Sequence, residues 1–292
     1  MLTIGHHLRR AIVSPLYSTA RGLKTIVIPN QFDNYSYLIV DDATNKAAVV
    51  DTSDVARVEA AAERHGVQIV ANLSTHHHPD PTGGNEASKY SPDQAPIYGG
   101  SSKIPRLTKL VRDKDEFSIG NNLRVKCYAT PCHTKDSFCY YVTDKADSAS
   151  PGALFTGDTL LIAGCGRFFE GSGAEMLNAL RYIYTLPEDT IVYNGHEYTS
   201  ENVRLPSLLT RHPFAHEWQV AFGKLVEPTN EALDRLQRLA EENKITTGLT
   251  SLKDEKEWNV FLRMGTDAQK MDRLREWKNK FSGPSLLDSV VF

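Results

Sequence analysis

The chain has 292 residues, enough to bury one large core or two smaller ones. Hydrophobic residues make up 40% and charged residues 24%, with a formal net charge of −3, which is ordinary for a globular protein and argues against a nucleic-acid binder. No apolar run is long enough to span a bilayer, and Cys127, Cys132, Cys139 and Cys165 form no CxxC pair, so they read as reduced thiols of an intracellular protein.

In chain order, the start stands apart. Arg9, Arg10, Arg21 and Lys24 precede the first acid, Asp33, and Ser14, Ser18 and Thr19 are interleaved with apolar residues. This is the composition of a mitochondrial transit peptide over 1–23, giving a matrix protein, with a cytoplasmic location as the alternative. Strand patterns follow at 25–28, 35–40 and 47–51, separated by Pro29-Asn30 and by the 41–45 turn. A helix is expected next, capped by Ser53 or Asp54, with Val55, Val58 and Ala62 on one face and Gly66 at its end. Ile69 to Leu73 reads as a buried strand running into Thr75-His76-His77-His78.

Further strands are expected at 124–129, 138–142, 153–155 and 190–193. Ser172-Gly173-Ala174-Glu175 has capping-box spacing ahead of an apolar stripe of Met176, Leu177, Leu180, Ile183 and Tyr184. Past about Thr199 helical signals dominate. Thr229 or Asn230 caps a helix carrying Leu233, Leu236 and Leu239, and a last helix carries Met271, Leu274 and Trp277. The expected organisation is therefore the 1–23 segment, a strand-rich domain over 24–199, and a helical domain over 200–292.

Ten histidines are present, and a subset ends strands. His76, His78 and Asp80 alternate in what reads as an extended segment, so two imidazoles and a carboxylate can share one side. Such donors suit Zn²⁺ or another borderline divalent ion. Gly83-Gly84 would allow a close backbone approach. His133, Asp158 and His196 each follow a further expected strand, which is where a rigid scaffold presents chemistry. His77 points away from its neighbours and is assigned a packing or hydrogen-bonding role. His6, His7, His65, His212 and His216 have no such context.

On these segments the sequence resembles glyoxalase II, the hydroxyacylglutathione hydrolases of the metallo-β-lactamase superfamily. The resemblance rests on 75–85, on Thr130-Pro131-Cys132-His133-Thr134, on Phe155-Thr156-Gly157-Asp158-Thr159, on Ala163 to Gly171 and on Gly195-His196-Glu197-Tyr198-Thr199. It implies an α/β (α+β) fold, an αββα sandwich with a helical C-terminal domain that helps hold glutathione. It implies a monomeric metal-dependent thioester hydrolase in methylglyoxal detoxification, turning S-D-lactoylglutathione into D-lactate and glutathione. By motif, His76, His78 and His133 correspond to the ligands of one Zn²⁺ (Fe or Mn being alternatives), Asp158 to a bridging carboxylate, and Asp80 and His196 to ligands of a second ion. The resemblance implies Asp80 and Asp158 as the catalytic carboxylates. A metal-activated water would attack the thioester carbonyl. The resemblance further implies Arg167, Tyr198, Arg275 and Lys278 as glutathione contacts; Arg275 and Lys278 alone would read as a solvated helix face. Arg263 reads as structural.

Two positions depart from the family pattern. Pro81 stands where a ligand histidine is expected, and proline has no side-chain donor atom. The fold should tolerate it at the first position of a following helix, with Asp80 biased toward an extended backbone. The second metal should be weakened. Phe169 stands where a tyrosine hydroxyl can reach the ligand. Two other functions fit the same residues: a mononuclear-iron persulfide dioxygenase, and a non-catalytic binder of glutathione conjugates, for which Pro81 is the support.

Overall fold

The computed structural model describes residues 17–19, 23–30, 33–87, 94–199 and 219–281. Residues 1–16 and 20–22 of the expected targeting segment lie outside these, with His6 and His7; so do His212, His216 and the stretch 200–218 that follows the expected domain boundary.

Two sheets face each other. The first runs in chain order: β1 (Tyr17–Thr19), β2 (Leu23–Pro29), β3 (Tyr35–Asp41), β4 (Lys46–Val50), β5 (Gln68–Leu73), β6 (Ile97–Gly99) and β7 (Lys109–Leu110). Its first four strands are antiparallel and the rest parallel. The second sheet holds β8 (Glu116–Ile119), β9 (Leu123–Ala129), β10 (Phe138–Asp144), β11 (Ala153–Gly157) and β12 (Ile191–Asn194), antiparallel except for the β11–β12 pair. The short β6, β7 and β8 gave no readable pattern in the sequence.

The period-2 alternation of β3 divides its side chains between two cores. Tyr35, Tyr37 and Ile39 enter the layer between the sheets, with Leu73, Val125, Tyr140, Phe155 and Tyr193. Leu38 and Val40 face outward onto α1 (Val55–His65), whose buried side is Val58, Ala61 and Ala62. Asp54 caps α1 through the Arg57 N–H, and Gly66 ends it at φ 63°, as its local signals indicated.

After α2 (Pro79–Thr82), the outer face of the second sheet is covered by α3 (Gly173–Ile183). There Met176, Leu180 and Ile183 join one cluster with Leu154 and Val192 of the sheet. That cluster continues into α4 (Gln219–Val226), α5 (Glu231–Glu242), α6 (Leu252–Trp258), α7 (Val260–Met264) and α8 (Ala268–Phe281), through Phe222, Leu233, Leu236, Trp258, Phe261 and Met271. The layers are thus helix, sheet, sheet, helix, with the C-terminal helices stacked beside α3. The Thr246–Leu252 segment also covers the outer edge of β12: Val192 N–H donates to Thr250, Gly248 N–H to Val192, and Leu252 N–H to Thr190. No described helix is long and apolar enough to cross a membrane.

Four expectations need correction. Ser172 does begin α3, but its hydroxyl makes no capping bond; the Gly173 N–H is instead taken by Asp272 of α8 at 2.6 Å. The capping box present is Ser251–Asp254, at the start of α6. Asp80 is not extended, because the helical turn begins at Pro79 and contains Asp80 and Pro81. Neither proline sacrifices a bond there, since first-turn N–H groups have no intrahelical acceptor. Trp277, expected in the apolar stripe of α8, is 43% exposed and packs by its edge on Phe222, while Met271 and Leu274 are buried. Finally, Arg275 and Lys278 are not a solvated face: both are buried.

Candidate metal centre

Every element that carries an expected ligand ends at one rim of the sandwich. β5 delivers the 75–78 segment, β9 His133, β11 Asp158 and β12 His196. Parallel strands of the two sheets point their carboxyl ends at the same rim, which is why residues 120 apart in sequence meet there.

His76, His78 and His133 form a group whose donor atoms all lie within 4.8 Å of one another. His133 Nδ1–H donates to the Arg167 carbonyl at 2.9 Å, which leaves Nε2 bare and 3.0 Å from His78 Nδ1. His76 is fixed from behind by a relay. Asp51 accepts the Thr75 N–H at 2.8 Å and the Thr75 hydroxyl at 2.9 Å. With its proton committed to Asp51, Thr75 Oγ1 accepts from His76 Nδ1–H at 3.0 Å, so His76 Nε2 faces the centre as a bare nitrogen. That Nε2 is buried with no hydrogen-bond partner, as is Asp158 Oδ1. A buried imidazole nitrogen left unpaired in this way is costly unless a cation completes it, and imidazole nitrogen plus carboxylate is the donor set a borderline divalent ion takes.

Asp158 lies between the two halves of the site. Its Oδ2 is 3.4 Å from His133 Nε2, and its Oδ1 is 3.2 Å from His196 Nε2. His196 Nε2 is also 3.1 Å from Asp80 Oδ2, and its Nδ1 reaches Asp33 Oδ1 at 3.1 Å. The structure thus brings all six sequence-predicted donors together. Among the described residues, however, the three histidines are the convergent group of three or more donors; Asp80, Asp158 and His196 are not a second one. Two glycines make the approach possible. Gly157 sits at φ 46° where the β11–β12 register shifts, and a Cβ on Gly195 would stand 2.7 Å from Asp158 Oδ1.

The electrostatics suit cation binding. Burial pushes His76 down to about 3, with repulsion from His133 and His78 adding to it, so it is a neutral imidazole at neutral pH. Burial lowers His78 as well. For Asp158, burial would raise the carboxyl, but the neighbouring His196, through charge and hydrogen bond, outweighs it and holds the group well below the usual carboxylate range. For Asp80, burial is again outweighed, here by the hydrogen bond to His196.

His77 turns away, as expected, and donates Nδ1–H to Asp136 at 2.7 Å. Phe169 is 61% exposed and stands edge-on to the rings of His78 and His133 at the mouth of the site. The Tyr198 ring stacks on His196 at 5.1 Å. Arg275 donates to the Cys165 carbonyl at 3.0 Å, in the loop that carries Arg167, and Lys278 Nζ lies 5.3 Å from the centre of the Phe222 ring. Arg263 pairs with Glu227 at 2.9 Å, in keeping with a structural role. Asp51 and Asp33, which orient two of the ring nitrogens, were missed in the sequence; the one local signal was that Asp51 directly follows a strand.

Residues 29–196 match the metallo-beta-lactamase superfamily, and residues 217–281 match the hydroxyacylglutathione hydrolase C-terminus. A protein of Arabidopsis thaliana named cytoplasmic hydroxyacylglutathione hydrolase is 38% identical over 274 residues, which is 88% of this chain and 98% of that one. The chain belongs to the hydroxyacylglutathione hydrolase family. Another member, the cytoplasmic isozyme of Saccharomyces cerevisiae, is 35% identical over 85% of this chain and 94% of its own. Among solved structures, a metallo-beta-lactamase of Staphylococcus aureus superposes with a TM-score of 0.61 at 20% identity, covering 88% of this chain and 67% of that one. ETHE1 of Myxococcus xanthus superposes with a TM-score of 0.58 at 23% identity, covering 86% and 89%. These two likenesses establish the fold. Hydroxyacylglutathione hydrolases sit in a superfamily of divalent-metal proteins, and the His76, His78 and His133 group gives this member a place for the ion.

The Thr75 relay yields a first prediction. Thr75→Val keeps the side-chain shape but removes the acceptor that fixes His76. Metal affinity, measured by chelator competition, should fall about 10–100-fold, as for other partners of metal-bound histidines. An unchanged affinity would mean that Thr75 does not orient the ring.

Proposed function

We propose that this chain is a metal-dependent thioester hydrolase that converts S-D-lactoylglutathione to D-lactate and glutathione. The observation that carries this reading is the continuous likeness to proteins named hydroxyacylglutathione hydrolase along nearly their whole length. The two matched segments, 29–196 and 217–281, also support a catalytic domain over 24–199 followed by a helical glutathione-binding domain over 200–292.

His76, His78 and His133 hold the ion, with zinc the best match to three imidazole nitrogens, and Asp158 supplies an anionic oxygen beside it. A metal bound there supplies a Lewis acid for the thioester carbonyl and lowers the pKa of water. Asp80 is the most open of the site's carboxylates, its side chain 36% exposed. It orients the attacking water and would take its proton at Oδ1, the oxygen that His196 does not hold. His196, held by Asp33, keeps Asp80 and Asp158 apart and ionised. The departing glutathione is a thiol of moderate pKa, so its thiolate leaves without a dedicated acid. Arg167 and Tyr198 flank the centre. Arg275, bonded to the Arg167 loop, and Lys278, one turn on, are buried cations that the family resemblance assigns to the carboxylates of glutathione. The acid-free start of the chain supports a mitochondrial address, although the relatives named above are cytoplasmic.

The test is turnover of S-D-lactoylglutathione by the purified protein, followed as loss of thioester absorbance, with metal counted on the same sample. Hydrolysis that disappears with chelation and returns with Zn²⁺ is expected. Binding of an S-alkylglutathione with no turnover at any metal loading would make the chain a binder and overturn the enzyme reading.

A further inference from the structure

We propose that Glu197 is a positioning residue, a carboxylate staple through which the segment ahead of α6 sets His196 and the Tyr198 ring. This rests on the functional reading above and goes beyond it, since the Glu197 carboxylate bonds to Tyr35, Thr199 and Thr246 and to none of the expected metal donors or ligand contacts.

The carboxylate gathers donors from three parts of the chain. Oε2 accepts the Tyr35 hydroxyl of β3 at 2.7 Å and the Thr246 N–H at 2.7 Å. Oε1 accepts the Thr199 N–H at 2.9 Å. The Thr246 hydroxyl lies 3.1 Å and 3.0 Å from the two oxygens and 3.0 Å from Thr199 Oγ1. Two backbone N–H groups and two hydroxyls therefore converge on one side chain. An ionised carboxylate has about four acceptor positions, so it can satisfy them all. A glutamine would offer one oxygen and set an NH₂ against donors.

The same residue is tied to the ligand beside it. Glu197 N–H donates to the Asp33 carbonyl at 2.7 Å, while Asp33 Oδ1 is the partner of His196 Nδ1. Tyr35 N–H donates to the Gly195 carbonyl at 2.9 Å, so strand β3 grips the peptide on one side of His196 and its hydroxyl grips the carboxylate on the other. A shift of the Glu197 side chain moves the 195–199 backbone, and with it the stacked His196 and Tyr198 rings. The Thr246 bonds carry this coupling across to the helical part of the chain. Thr247 strengthens the joint through Tyr37 and the Asn194 N–H.

The experiment compares the holoenzyme with Glu197→Gln and with the milder Thr246→Val. It reads kcat and KM, metal per chain, and the imidazole NMR signals of His196. For Glu197→Gln, KM should rise roughly tenfold, the size typical of an outer partner of a site. The His196 ring signal should be displaced, while the three-histidine metal stays bound. Thr246→Val should do the same to a smaller extent, and the two changes should be non-additive. A residue that merely stabilised the fold would lower the melting temperature and leave KM and the ring signal alone. That result in both variants would overturn the proposal. If the parent enzyme turns over no thioester, the functional reading fails, and the His196 ring signal alone decides whether Glu197 positions it.

Discussion

His76→Ala is expected to empty the three-histidine centre and to reduce thioester turnover by at least about 10³-fold, more than the 10–100-fold typical of an outer partner. The geometry gives the reason. His76 is 2% exposed, its Nδ1 is engaged with Thr75, and its Nε2 has no partner other than what the centre holds. Alanine removes one of three convergent nitrogens and leaves His78 and His133, too few to hold an ion against water. Metal analysis of the purified variant should show the loss directly, and thioester hydrolysis should show the catalytic consequence. Turnover near that of the parent, with metal retained, would move the centre elsewhere and sink the assignment.

Pro81→His is expected to raise bound metal from about one to about two per chain and to speed turnover by about 10–100-fold, by adding a ligand to the weaker position. Asp80, Asp158 and His196 stand close but do not form a convergent three-donor group, whereas the three histidines do. Residue 81 lies in the same helical turn as Asp80, and that turn needs no N–H from proline, so the substitution does not break the backbone. Losing proline frees the unfolded chain, a cost of roughly 0.4–1 kcal/mol that the fold can bear. Equilibrium dialysis against Zn²⁺ gives the count. If parent and variant bind the same number of ions with the same turnover, the existing carboxylates and His196 suffice, and Pro81 is silent. A parent with one ion and no activity, rescued by Pro81→His, would mark this chain as a disabled member of its family.

Much of the centre was legible because its donors are announced locally. His76, His78 and Asp80 sit two residues apart at the end of an apolar run, and His133, Asp158 and His196 each follow a strand of readable periodicity. Local chemistry likewise fixed α1, where Asp54 and Gly66 act on backbone atoms within four residues of themselves. Such signals survive because short-range geometry depends on neighbours in the chain.

Contacts between distant segments decided the remainder. Asp33 reaches His196 across 163 residues, and Glu197 reaches Thr246 across 49. Neither pairing leaves a periodic or spacing signal. Asp272 of α8 takes the Gly173 N–H, and the Ser172 side chain makes no capping bond to the first turn of α3, because tertiary packing sets α8 against the start of that helix. Burial turned Arg275 and Lys278 from a solvated helix face into interior cations, since the neighbours that cover them come from other helices. The sequence by itself determined which donor-type residues stand at the ends of which strands. Only the tertiary structure decided which carboxylates orient those ligands and which donors converge, because both depend on the meeting of segments far apart in the chain.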